Sequence, residues 1–339
     1  MLIVRHFDID GVVIGRGHEP YLIMEIGSAH NNIPERVDRF VEMAVECKVH
    51  ALKTQAFSAN TLVDPVLAPA WHARACLTAP APYILEYMRD ACKKAGITFL
   101  CTPHDEYGLS LLEELDVSAY KVGSGEWKNL PFIEKIAQKK KPMIVSLGLH
   151  STADASELKV ILSKYIDGYA FLYCVTAYPA TAEHVHPNYI SLLHNILQCP
   201  IGYSDHTIGV TSAIMAVAHG ASIIERHVDL LDNANPGQDR GVSCIGELSA
   251  SIYFSAVRDA YAYTKAKGGV SPHDEQVKWA TKGIIATENI AKGMPFTQMN
   301  TAVMRPGGGL PGWMYPTVLK QNAAEDIPAH TQITSRMCA

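Results

Sequence analysis

Residues 97–148, ITFLCTPHDEYGLSLLEELDVSAYKVGSGEWKNLPFIEKIAQKKKPMIVSLG, decide the fold. Three short β-rich runs, ITFLCT (97–102), AYKVG (119–123) and PMIVSLG (142–148), alternate with two longer amphipathic ones, YGLSLLEEL (107–115) and NLPFIEKIAQKK (129–140). Strands alternating with helices in this way predict an α/β architecture with parallel strands. The rhythm extends in both directions. Upstream lie the strand candidates YLIMEI (21–26) and ALKTQ (51–55), and downstream AFLYCVT (170–176), PIGYSD (200–205) and ASIIERH (221–227). Helix patterns fill the gaps. In PERVDRFVEMAVECK (34–48), Val37, Phe40, Val41, Ala44 and Val45 recur at helical spacing behind a proline in the first turn. YILEYMRDACKKAG (83–96) ends on Gly96 as a C-cap, and SAIMAVAHG (212–220) follows the seventh strand. Eight strands alternating with helices over about 250 residues is the requirement of a (β/α)8 TIM barrel. A doubly wound open sheet is disfavoured, because EIGSAHNN lacks the glycine-rich phosphate turn expected after its first strand.

Composition narrows the function. The 339 residues are 48% hydrophobic and 19% charged, enough for a barrel-sized core and a smaller second domain. With 29 basic against 34 acidic residues and a net charge of −5, nucleic acid is not an expected partner. The KKK run at 139–141 reads as a solvated helix end. No apolar stretch approaches the roughly 20 residues of a membrane span, and MLIVRHFDIDGVV lacks a signal-peptide core, so no membrane partner and a cytoplasmic location are expected. The eight cysteines are scattered without a C-x-x-C pair and read as reduced. Past residue 267 the character changes. GGVSPHDEQVKWATK (268–282) reads as a linker, and 283–339, with its PGGGLPG cluster, as a small, mostly β module.

Barrel active sites form at the C-terminal ends of the strands, and functional side chains gather there. Glu25 ends the first strand, Lys53 and Gln55 the second, and Thr102 the third, while Lys121, Ser124 and Glu126 end the fourth. Ser146 ends the fifth strand and Thr176 and Tyr178 follow the sixth; the seventh supplies Ser204, Asp205 and His206, and the eighth Glu225 and His227. A single histidine at a strand end is more often structural than a ligand. Two at matching positions on adjacent strands read as a metal pair, suited to Mn2+ without excluding Zn2+, Mg2+ or Co2+. Lys53 and Lys121 leave otherwise apolar strands. Each is either paired with Glu25 or Glu126 as scaffold or binds an anion, and the surrounding hydroxyls favour a phosphate.

At these residues the chain resembles the sialic acid synthase family, which comprises N-acetylneuraminate, legionaminate and pseudaminate synthases and the spore-coat protein E group. The matching motifs run in order: EIGSAHN, ALKTQAF, FLCTPHDEYGLSLLEEL, AYKVGSGEWKNLP, KPMIVSLG, LYCVTAYPA, GYSDHTIG, GASIIERH and NPGQD. ATENIAKGMPFTQMNTAVMRPGGGL is similar to that family's C-terminal SAF (antifreeze-like) domain, giving a barrel over 1–267 and SAF domain over 283–339. The resemblance implies metal-dependent condensation of phosphoenolpyruvate with an aldehyde sugar of the N-acylmannosamine type, yielding a nonulosonic 2-keto acid and phosphate. By position, His206 and His227 would hold Mn2+ or another divalent ion. Lys53, Thr102, Lys121, Ser124, Ser146 and Ser204 would grip phosphoenolpyruvate. Glu25 would orient the aldehyde, and Glu126 would activate the water that attacks C2. Gln55, Thr176, Tyr178 and Asp239 would line the sugar pocket, Tyr178 on its catalytic side. Arg305 would reach the sugar's acyl group across a domain-swapped homodimer.

The chain departs from that family's pattern at Ala29, His104, Thr176, Arg226, Gln238 and Arg240, and in DPVLAPAWHARACLTAPAPY between strands two and three. These departures fall on the sugar side, where Arg240 is expected to meet an acceptor anion. A barrel aldolase or lyase working without phosphoenolpyruvate, and a non-catalytic binding protein, are the alternatives. The second is disfavoured by the presence of Glu25, Lys53, Lys121, Glu126, His206 and His227.

Overall fold

The computed structural model describes residues 6–232, 234, 238–265 and 274–339. The chain forms two compact units, Met1–Ala266 and Lys267–Ala339. The first begins with an antiparallel hairpin, β1 (Phe7–Ile9) and β2 (Val12–Ile14). Eight parallel strands follow: β3 (Tyr21–Glu25), β4 (Ala51–Ala56), β5 (Thr98–Pro103), β6 (Tyr120–Val122), β7 (Met143–Ser146), β8 (Tyr169–Cys174), β9 (Ile201–Asp205) and β10 (Ile223–Asp229). Their lateral order is β5-β4-β3-β10-β9-β8-β7-β6, which is chain order bent into a ring. Ladders join every neighbouring pair along this path, and β5 and β6 lie side by side at the seam, so the barrel is nearly closed. A two-residue strand, β11 (Cys244–Ile245), adds to β10 outside the ring.

Side chains alternate between the faces of a strand, so every second residue points into the barrel. The innermost apolar layer includes Ile23, Ala51, Leu100, Ala119, Ile144, Leu172 and Ile223. Ile9 and Ile14 of the hairpin join the same cluster with Tyr21, the first residue of β3. The hairpin therefore closes the N-terminal end of the barrel, leaving the other end for chemistry. Sequence reading missed this hairpin, whose two strands are only three residues each.

Helices cover the outside. Pro34–Glu46 buries Val37, Phe40, Val41 and Ala44 of the stripe that its spacing predicts but leaves Val45 exposed, and Pro82–Ala95 ends on Gly96 in the left-handed conformation at φ 73°. The helix Glu106–Glu114 comes so close to β4 that a Cβ on Gly108 would lie 2.1 Å from the Ala56 carbonyl oxygen. Gly108→Ala should accordingly destabilise the unit by about 3 kcal/mol, at the upper end of overpacking costs, measured by denaturant unfolding. An unforeseen helix, Pro69–Thr78, occupies the segment between β4 and β5. Only Ala75 is buried while Trp71 and Leu77 are exposed, so no periodic apolar stripe marks it in the sequence.

In the second unit, β12 (Gly283–Ala286) pairs antiparallel with β13 (Thr301–Met304), and the single bridges Gly283↔Pro311 and Ile285↔Gln332 tie later segments of the chain to β12. Ile284, Phe296, Val318 and Ile333 form its apolar core. Of the segment read as a linker, 268–273 lies outside the described residues, and Asp274–Ala280 is a helix. Among the described residues, no helix is long and apolar enough to cross a membrane.

Candidate active site

The site follows from the same two-residue alternation. One step beyond the apolar layer, toward the C-terminal ends, stand Glu25, Lys53, Thr102, Lys121, Ser146, Cys174, Ser204 and Glu225, all buried. One step further come Gln55, His104, Thr176, His206 and His227. A polar ring at one level and a histidine-bearing rim above it are thus written into the strands. A cavity of about 640 Å³ opens on both layers. This lies within the usual size of a small-molecule site.

At the floor, Lys53 Nζ forms a close ion pair with Glu25 Oε2, is 3.4 Å from Thr102 Oγ1 and 3.7 Å from Glu225 Oε2. Lys121 Nζ donates to Ser146 Oγ at 2.7 Å and to the Val122 carbonyl at 3.2 Å, and is also 3.7 Å from Glu225 Oε2. Ser204 Oγ donates to the other Glu225 oxygen at 3.0 Å. Glu225 is therefore the shared counter-ion of both lysines. Burial pushes its pKa up, but the ammonium groups of Lys121 and Lys53 outweigh that and hold it down to about 2. Burial raises Glu25, with Lys53 opposing. Burial lowers Lys121, against the pull of Glu225, whereas for Lys53 the Glu225 and Glu25 carboxylates overcome burial and raise it. Two ammonium groups taken from water and ringed by hydroxyls make a strong anion receptor.

At the rim, the His206 and His227 rings lie 5.3 Å apart between centroids, and the Tyr178 ring lies 4.1 Å from that of His206, tilted by 31°. His206 Nδ1 is 2.8 Å from the Val175 carbonyl. A carbonyl only accepts, so Nδ1 carries the hydrogen and Nε2 keeps its lone pair, the arrangement that suits a metal ligand. Burial keeps both rings neutral, lowering His206 and taking His227 to about 4. Asp239 Oδ2 is 4.0 Å from His227 Nδ1. Among the described residues, no group of three or more His, Cys, Asp or Glu side chains could hold a metal. His206 and His227 would therefore supply at most two ligands to a divalent ion, and oxygen atoms would have to complete its shell.

The cavity brings together Glu25, Lys53, Gln55, Thr102, Lys121, Ser124, Ser146, Thr176, Tyr178, Ser204, His206, His227 and Asp239. Glu126 is not among its lining residues; its carboxylate is buried behind His104 and accepts from Asn129 Nδ2 at 2.7 Å. The lysines pair with Glu25 and Glu225, and neither pairs with Glu126. Arg240 does not line the cavity. Its guanidinium donates to Asp229 Oδ2 at 2.5 Å and to the Leu230 carbonyl, so it braces the loop after β10 rather than meeting a substrate anion. Ala29 is fully buried in the core around the barrel, and the side chain of Gln238 lies outside the described residues. Arg305, in the second unit, is exposed and sits 4.7 Å over the Trp279 ring. Sequence reading placed Glu225 at the mouth without a role and did not single out Cys174, Trp71 or Arg74, all of which line the cavity. Counting two residues on from Leu172 and Ile223 would have found Cys174 and marked Glu225 as inward-facing.

Comparison with known proteins agrees with this architecture. The chain is 32% identical to the human N-acetylneuraminate-9-phosphate synthase over 70% of each chain. It is 28% identical to the N,N'-diacetyllegionaminic acid synthase of Legionella pneumophila over 86% of each. The crystal structure of the spore coat polysaccharide biosynthesis protein SpsE of Bacillus subtilis superposes with a TM-score of 0.67 at 27% identity, covering 98% of this chain and 99% of that one. Residues 40–267, which span most of the barrel and include Lys53, Lys121, His206 and His227, match the NeuB family, to which this chain belongs.

Proposed function

We propose that the chain condenses phosphoenolpyruvate with an aldehyde sugar of the N-acylmannosamine type to give a nonulosonic 2-keto acid and phosphate. One observation carries this reading: two buried lysines, Lys53 and Lys121, share the carboxylate of Glu225 beneath a ring of hydroxyls at the barrel mouth. A small, highly charged anion is what such a floor binds. Lys53, Lys121, Thr102, Ser124, Ser146 and Ser204 hold its phosphate and carboxylate, and Glu25 orients the aldehyde against it. A divalent ion, Mn2+ or Mg2+ or Co2+, held by His206 and His227 would polarise that aldehyde. C3 of phosphoenolpyruvate then bonds to the aldehyde carbon, water adds at C2, and phosphate departs.

Beyond the strand ends the cavity extends along Phe57, Leu62, Val63, Trp71, Arg74 and Ala75, all from the segment between β4 and β5. This wall receives the sugar end remote from the aldehyde. Trp71 is 75% exposed, and its ring can lie against a sugar face. Trp71→Ala should raise KM for the acceptor about tenfold, the loss of roughly 1.4 kcal/mol, and leave KM for phosphoenolpyruvate unchanged in steady-state assays. The resemblance of residues 283–339 to an SAF domain, and the exposed Arg305, support a homodimer in which Arg305 meets the partner's sugar. Mass spectrometry of the product tests the reaction: a keto acid with the combined carbon skeletons of pyruvate and acceptor is expected, and pyruvate alone would refute it.

A further inference from the structure

His104 occupies an inward position that the preceding chemistry leaves unused. It lines the cavity, and Glu126, the expected activator of water, does not. The imidazole stands between them, with Nδ1 4.0 Å from Glu126 Oε1. Its position is fixed on several sides. The His104 amide donates to the Ala56 carbonyl at 3.0 Å, Phe57 presents its ring at 6.1 Å and 71°, and a Cβ on Gly123 would lie only 3.4 Å from His104 Cε1. Glu126 is held from behind by Asn129 Nδ2. Cavity, imidazole and buried carboxylate thus form a series in which only the imidazole reaches the substrates.

We infer that His104 takes the proton from the water that adds to C2, and that Glu126 acts through it as a positioning residue. This rests on the proposed condensation. Once C3 has bonded to the aldehyde carbon, an alkoxide stands at that carbon and C2 carries positive charge. The water oxygen bonds to C2 and one of its protons passes to His104 Nε2, while Nδ1–H points at Glu126. That proton moves on to the alkoxide. The new C2 hydroxyl becomes the keto oxygen as the C2–O bond to phosphate breaks, and its proton leaves with the phosphate, so HPO4 2− departs and charge balances. A 4.0 Å separation exceeds a hydrogen bond. Hydrogen bonds of this kind are often long in the unliganded enzyme and tighten when substrate binds. The charged groups facing the imidazole are Lys53, Lys121, Asp105 and Glu126. Burial, reinforced by the two lysines, lowers its pKa to about 4, and burial raises that of Glu126. The negative charge of phosphoenolpyruvate bound at the lysines opposes their effect on the ring and so raises its basicity.

The test measures kcat, KM and the pH profile of phosphate release for the full chain and for His104→Phe, His104→Gln, Glu126→Gln and the His104→Phe/Glu126→Gln pair. His104→Phe keeps a ring of similar bulk and should lose about 10²-fold in kcat, the usual worth of general base catalysis, with KM for phosphoenolpyruvate unchanged. The acidic limb of the profile should vanish in the same variant. Glu126→Gln should lose less, and the pair should lose no more than His104→Phe alone, because the two residues act as one unit. A His104→Phe variant with wild-type kcat, or a pair whose losses multiply, overturns the inference while the condensation stands. If the unaltered chain releases no phosphate with any aldehyde sugar, the condensation fails and this inference with it. His104→Gln separates a packing role: recovery of kcat by an amide that cannot accept a proton would also overturn it.

Discussion

Lys121→Met should leave a folded barrel that has lost about 10³-fold in kcat/KM for phosphoenolpyruvate, the cost of removing a preorganised, buried charge from the floor of the site. Methionine fills most of the lysine's volume, so the loss is electrostatic. Lys121 is 2% exposed and donates to Ser146 Oγ at 2.7 Å, which aims its ammonium group along one line. A lysine at this depth has given up its hydration, and a bound phosphate or carboxylate restores the lost partner. Glu225 keeps Lys53 at 3.7 Å and Ser204 at 3.0 Å in the variant, so its charge is not abandoned. Lys53→Met differs in this respect, since it strips Glu25 of its direct ion pair as well. That variant should lose activity and also about 3 kcal/mol of stability, as expected when one member of a buried pair is removed. Steady-state kinetics together with denaturant unfolding of both variants separates the two outcomes. Equal stability losses would show that the lysines are scaffold.

The second large effect concerns the histidine pair. His227→Ala is expected to abolish turnover to within about 10³-fold of background, the several kcal/mol that Lewis-acid assistance supplies. EDTA should produce the same loss in the unaltered chain, and Mn2+ should restore that chain but not the variant. The imidazole is neutral in the folded state and its nearest carboxylate is 4.0 Å from Nδ1, so the substitution breaks no close ion pair and the thermal midpoint should hold. Full activity after EDTA would leave His206 and His227 as structural or substrate-binding residues.

Much of this was legible in the sequence, and the reason is geometric. Parallel barrel strands are short, buried and regularly alternating, so runs such as ALKTQ and ASIIERH declare both their type and their inward residues. Lys53, Lys121, His206 and His227 were found because the last inward positions of a barrel strand have few other reasons to be charged. What escaped lacked that regularity. The hairpin Phe7–Ile14 and the helix Pro69–Thr78 carry too few buried residues to print a period. Glu126 lies in the short turn Ser124–Glu126, beyond the strand, where alternation no longer says which way a side chain points. Arg240 misled for a related reason: its partner, Asp229, is brought near by the loop after β10, which sequence spacing does not reveal.

Phosphate release from phosphoenolpyruvate by the purified chain is the most direct test, run with Mn2+ or with EDTA against a panel of aldehyde sugars that includes N-acetylmannosamine, diacetamido-trideoxy hexoses and phosphorylated sugars. Stoichiometric release that requires an aldehyde acceptor and stops with EDTA is the predicted result. Absence of both phosphate release and phosphoenolpyruvate binding would contradict it, and the lysines beneath the barrel mouth would then serve another anion.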